Sequence, residues 1–316
     1  MVPGVSPQMT QQQAESQTIL NTQNLSPHLI ELYIDINEDV DMKRIWHLLR
    51  VETSLPYRCG ECIAETFDIE SDTQKSNMVA LRITWGSGDH YQYLIFKKPS
   101  SSSNTQQWKF VGNIDSQGQP FAPPVHRIEN GDNRSWFVLR EFWGRQEKSE
   151  AYGEVWYEIR DNGVKRVLSY PLSGENHLCR KGLGYSYKSI LSRYGTLNGT
   201  YTVPIQLFIS YNITDCERGT PTTTLFAKEQ SAFYVWDDAQ ERFQLDAAQS
   251  DVTEKEVKSL FSIEGLEDAS FVQYNFDQLS EIAKGRDTNR RDWLKRFLAT
   301  MQDGPRKAAL LEAMRQ

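Results

Sequence analysis

The chain has 316 residues, a formal net charge of −7, 39% hydrophobic residues and 11% aromatic residues. Its length allows one large folded body or two smaller ones, and the apolar content excludes a chain disordered throughout. The acidic balance argues against nucleic acid as the main partner, and no run approaches the roughly 18 apolar residues of a membrane-crossing helix, so no transmembrane segment is expected.

Residues 1–30 are rich in Gln, Ser and Asn and read as a flexible polar tail. They lack the basic and apolar regions of a signal peptide, yet the composition suits a tether. The expectation is an extracellular or cell-envelope protein whose leader or lipid anchor precedes Met1; the alternative is a cytoplasmic protein. Beyond the tail, Asp35, Asn37, Asp39 and Asp41 offer oxygen ligands on alternate positions, as a calcium loop begins. The pattern then fails, because Val40 stands where such a loop needs Gly and Trp46 where it needs Glu. An acidic entry to a short helix containing Ile45, Trp46, Leu48 and Leu49 is expected instead.

From about residue 60 to 246 the pattern is β. VALRITW and HYQYLIFKK flank a GSGD turn, and prolines in DSQGQPFAPP rule out a central strand there. Residues 134–174 read as a meander, in which Asp161-Asn162-Gly163 supplies the Asn-Gly pair of a tight turn. Counting from that turn sets Tyr157 against Leu168 and Val155 against Tyr170 on one buried face. Trp156, Glu158 and Arg160 alternate onto the other, where Trp156 is the candidate for a binding surface. SYKSILSRY and TYTVPIQLFISYNI flank GTLNG, with Pro204 expected at an edge or bulge, and SAFYVW with RFQLD forms a last hairpin.

After residue 250 the pattern becomes helical. Thr253 and Glu256 form a capping box, DQLSEIAK ends at Gly285, and TNRRDWLKRFLATMQD ends before Gly304-Pro305, with another helix from Arg306. Trp293, Leu294, Phe297, Leu298 and Met301 form a stripe able to dock on the β body. The resulting expectation is a mainly β fold, an antiparallel β-sandwich or an open barrel or meander, over residues 31–250, with a short helical segment over 251–316.

Chemistry is sparse. There is no G-x-S-x-G, H-E-x-x-H, P-loop or G-x-G-x-x-G, so no catalytic residue and no cofactor is assigned. His126 is one of five scattered histidines. Glu141 with Glu154 or Glu158 could form a hydrolytic pair, but exposed strand acids are the plainer expectation. Cys59, Cys62, Cys179 and Cys216 are the whole cysteine set, and are read as disulfide candidates. The Cys59-Gly60-Glu61-Cys62 spacing also suits thiol-disulfide exchange or half of a zinc site completed by Cys179 and Cys216, though no second C-x-x-C follows.

The functional expectation is a non-enzymatic binding or structural module that presents a surface to protein or carbohydrate. The alternatives are an enzyme, using Cys59 and Cys62 or a carboxylate pair, and a cytosolic zinc-stabilised scaffold. Intact mass before and after reduction separates these: disulfides predict a deficit of about two hydrogens per bridge and no zinc. Four free thiols with stoichiometric zinc would overturn the disulfide expectation.

Overall fold

The computed structural model describes residues 63–315 except 69, 72–77, 86–89, 98–108, 117–118, 121–124, 129–134, 147–148, 161–162, 179–180, 193, 198, 216–219 and 263–264. The polar tail and the acidic segment with its helix lie outside the described residues. The fold is mainly β and its sheets are antiparallel, apart from one two-residue parallel pairing. Two compact units share the chain: residues 1–141 with 155–167, and residues 142–154 with 168–316.

In the first unit, β1 (Ile63–Asp68), β3 (Met78–Trp85), β4 (His90–Lys97) and β5 (Lys109–Ser116) form a four-stranded antiparallel sheet in the order β1-β3-β4-β5. The expected hairpin pairs Trp85 with His90. The register puts Arg82, Tyr93 and Ile114 side by side on one face. That face meets β8 (Ser135–Gln146): the Tyr93 and Phe137 rings lie 5.9 Å apart, and the Ser116 hydroxyl donates to Glu141 at 2.7 Å. Two β layers therefore enclose this unit's core, each apolar side chain contributing about 2 kcal/mol on burial.

The second sheet begins with β2 (Glu70–Ser71), β7 (Val125–Ile128) and β8, and its strand order continues through β9 (Ser149–Arg160), β10 (Gly163–Leu178) and β11 (Leu183–Leu191) to β13 (Thr200–Asp215), β14 (Thr220–Asp237) and β15 (Arg242–Leu245). The short β6 (Gln119–Pro120) pairs with β8, and β12 (Gly195–Leu197) with β13. It does not close into a barrel. The strands β8, β9 and β10 each belong partly to one unit and partly to the other. At 12 to 18 residues, β8, β9, β10, β13 and β14 exceed the modest lengths expected from the sequence. Turn residues mark only where a strand can stop, so several adjacent segments merged into single long strands.

Pro204 sits inside β13, between β11 and β14, rather than at an edge. The bulges fall elsewhere, at Tyr211/Asn212 and Ile213/Thr214. The proline is tolerated because β11 pairs only as far as Leu191 opposite Ile205, and there the Ser192 N–H donates to the Pro204 carbonyl. The missing N–H thus falls where the ladder has already ended.

Five helices follow among the described residues: α1 (Glu254–Phe261), α2 (Asp268–Tyr274), α3 (Phe276–Lys284), α4 (Thr288–Ala299) and α5 (Pro305–Ala313). Thr253 and Glu256 form the reciprocal capping box, worth about 1 kcal/mol. The helix α4 ends at Ala299, capped by Thr300, well before the Gly304-Pro305 stop. The sequence reading also missed α2, whose Phe271 is 2% exposed and packs at 5.2 Å from Tyr211 and 5.4 Å from Phe297. Trp293 stacks on Phe297 at 5.1 Å and donates to the Gly182 carbonyl, so the expected stripe does dock on the sheet of its unit.

Burial raises the Tyr93 hydroxyl pKa to about 12, Arg82 acting against the rise and Glu141 adding to it. Burial likewise raises Tyr185 to about 12, with Asn176 opposing. A tyrosine whose folded pKa exceeds its unfolded value near 10.0 favours folding below pH 10 and loses that contribution as pH rises through 12. We therefore expect tyrosinate absorbance from Tyr93 and Tyr185 to appear only near pH 12 or together with unfolding. Titration of the native protein checks this, and ionisation of every tyrosine near pH 10 would contradict the packing.

Candidate binding surface

Cys59, Cys62, Cys179 and Cys216 lie outside the described residues, as do Asp35, Asn37, Asp39 and Asp41. The backbone of His126 is in β7, opposite Phe137 of β8. Among the described residues no group of three or more His, Cys, Asp or Glu side chains is arranged to hold a metal.

Trp156 does not form a surface. It is 0% exposed and tilts against Trp136 at 5.7 Å. Val155, Trp156 and Tyr157 are all buried, so β9 is covered on both faces here. Tyr170, expected on the face of Val155, instead bonds Glu154, which alternates onto the opposite face. The carboxylates are corrected in the same sense. Glu141, Glu154 and Glu158 are buried rather than exposed, at 1%, 1% and 6%. Glu141 accepts from Ser116, and Glu154 accepts from the Tyr170 hydroxyl at 2.5 Å. A hydroxyl donor compensates part of the cost of burying such a group.

A surface with the features of a binding site lies on β11, β13 and β14 of the second unit. Their inner face carries Tyr185, Tyr187, Ile205, Leu207, Ile209 and Tyr211, all buried. The outer face is set by the ladder: Ser186 pairs with Ser210 and Ala227, Lys188 with Phe208 and Glu229, and Ile190 with Gln206 and Ser231. An open groove of about 520 Å³ runs there, lined by Ser186, Lys188, Phe208, Ser210, Ala227 and Glu229 together with neighbouring backbone. Ile190 is 48% exposed and Phe208 38%, beside the polar Ser186, Lys188, Gln206, Ser210, Glu229 and Ser231, while Pro204 and Phe233 pair further along the same face. Lys188 and Glu229 are exposed, and neither forms an ion pair with another described residue.

Behind the groove, Lys228 occupies an inward position where the strand pattern asks for an apolar residue. Its ammonium lies 3.2 Å from Glu256 of α1 and 5.9 Å from the centre of the Tyr211 ring. Both charged side chains are more than nine-tenths buried. Burial lowers the Lys228 pKa, and Glu256 opposes the shift. This pair pins α1 to β14 on the side of the sheet opposite the exposed Phe208.

The groove was partly legible in the sequence. In TYTVPIQLFISYNI the odd-numbered residues are apolar or aromatic, while the even-numbered ones are Thr200, Thr202, Pro204, Gln206, Phe208, Ser210 and Asn212, so Phe208 is the large side chain that departs from them. Ile190 departs likewise in SYKSILSRY. Neither position is distinguished by sequence alone, because a single apolar residue at a polar position of a strand is as compatible with cover by a distant element as with exposure. No family model, curated protein or solved structure matches this chain.

Removing one partner of the buried pair leaves the other charge uncompensated. Lys228→Met is therefore expected to cost about 3 kcal/mol of unfolding free energy, read by denaturant titration. An unchanged stability would show that Glu256 does not need its partner.

Proposed function

We propose that this protein is a non-enzymatic binding or structural module of the cell envelope or extracellular space, and that it recognises a protein partner through the outer face of β11, β13 and β14. The observation that carries the reading is the groove around Phe208, where exposed apolar groups sit beside two charges that form no ion pair with another described residue. Burying Phe208 and Ile190 against a partner would supply the hydrophobic gain, and Lys188 and Glu229 would set orientation. The buried carboxylates and their hydroxyl donors serve packing in this reading.

Among the described residues no helix is long and apolar enough to cross a membrane. The envelope or extracellular assignment rests on the polar opening of the chain and on its four cysteines.

A photocrosslinking phenylalanine analogue at position 208, in cells that make the protein, tests the surface. We expect a discrete protein adduct in the envelope or secreted fraction, and none from the same analogue at exposed position 242. Equal labelling at both positions, or none at 208, would sink the surface. A specific adduct confined to the cytosolic fraction would overturn the compartment.

A further inference from the structure

The charges around Phe208 are arranged so that the face complements itself. The ladder places Lys188, Phe208 and Glu229 in one row across β11, β13 and β14. Adjacent strands are about 4.8 Å apart, so the positive and negative residues flank the ring at equal distances on opposite sides. Rotation by half a turn about an axis along β13, lying in the plane of contact at Phe208, exchanges the two flanks. It places Lys188 of one copy over Glu229 of the other, and Glu229 of the first over Lys188 of the second. The two Phe208 rings meet on the axis, Ser186 falls over Ala227, and Ile190 falls over Ser231. No pair of like charges is opposed in these three rows.

We propose that the partner of this face is a second copy of the chain, in a twofold face-to-face association centred on Phe208. The proposal rests on the binding surface inferred above and names its occupant. Sheets packed face to face lie about 10 Å apart, a gap that a lysine and a glutamate side chain reaching toward each other can span. Each contact counts twice because the interface is isologous, so two exposed ion pairs and one aromatic pair form from three residues of each copy. The alternative in-plane axis, perpendicular to the strands, would set Lys188 over Lys188 and Glu229 over Glu229. Repulsion disfavours that arrangement and fixes the orientation of the pair.

Sedimentation of the full chain across a concentration series, at low and high salt, tests the association. Wild type is expected to dimerise, with weaker association at high salt. Lys188→Glu and Glu229→Lys each oppose two like-charge pairs, and should each weaken dimerisation about tenfold or more. The double variant Lys188→Glu with Glu229→Lys restores both pairs and should return the dissociation constant to within about threefold of wild type. Both substituted residues are exposed in the unpaired chain, and unchanged circular dichroism and thermal midpoints would confirm that folding is unaffected.

A wild-type protein that stays monomeric throughout the series overturns the proposal, as does a double variant no better than the single ones. The crosslinking experiment separates this failure from failure of the binding surface. A specific adduct with a different protein at position 208 refutes self-association and keeps the surface; no specific adduct refutes both.

Discussion

Phe271 is the point at which the helices of the second unit meet its sheet. Its ring lies 5.2 Å from Tyr211 and 6.3 Å from Phe226 on the strands, and 5.4 Å from Phe297 and 6.5 Å from Trp293 on α4. These rings are too large to bury on an isolated strand or helix, and each element supplies half of the other's cover. Polar contacts then fix the orientation. Tyr185 donates to the Ser259 and Ser262 carbonyls, the Asn176 amide donates to Ser262, and Lys181 pairs with Asp268.

The outer face follows from that commitment. Once alternate residues of β11 and β13 are taken by the aromatic core, the intervening residues must point the other way, because side chains alternate along a strand. Most of them are polar, as an uncovered face requires. Phe208 and Ile190 are exceptions that stand outside the core. Lys228 is the opposite exception, a charge on the inner face, accommodated only because α1 brings Glu256 to it.

The first unit resolves the same problem differently. Here a second β layer, rather than a helical one, covers the face of β8 that carries Phe137, and Glu141 is enclosed with Ser116 and close to Tyr93 and Arg82. The close approach is visible at Gly112, where an added Cβ would come within 2.9 Å of Val164. Acids that local alternation marks as solvent-facing are therefore interior, and they contribute to packing through their hydroxyl donors.

Local chemistry in the sequence was sufficient for the β body, the β3–β4 and β14–β15 hairpins, the Thr253 capping box and the apolar stripe of α4, since each depends on residues near one another along the chain. It did not decide which faces are covered. Trp156 and Glu158 have the same parity as surface residues and are buried, whereas Phe208 has the parity of a polar face and stands exposed. Pro204 has the chemistry of an edge residue and lies in an interior strand, because the neighbouring ladder stops beside it. Alternation is a property of one strand, but cover is supplied by elements distant in sequence, so only the tertiary structure could separate packing residues from candidate contacts.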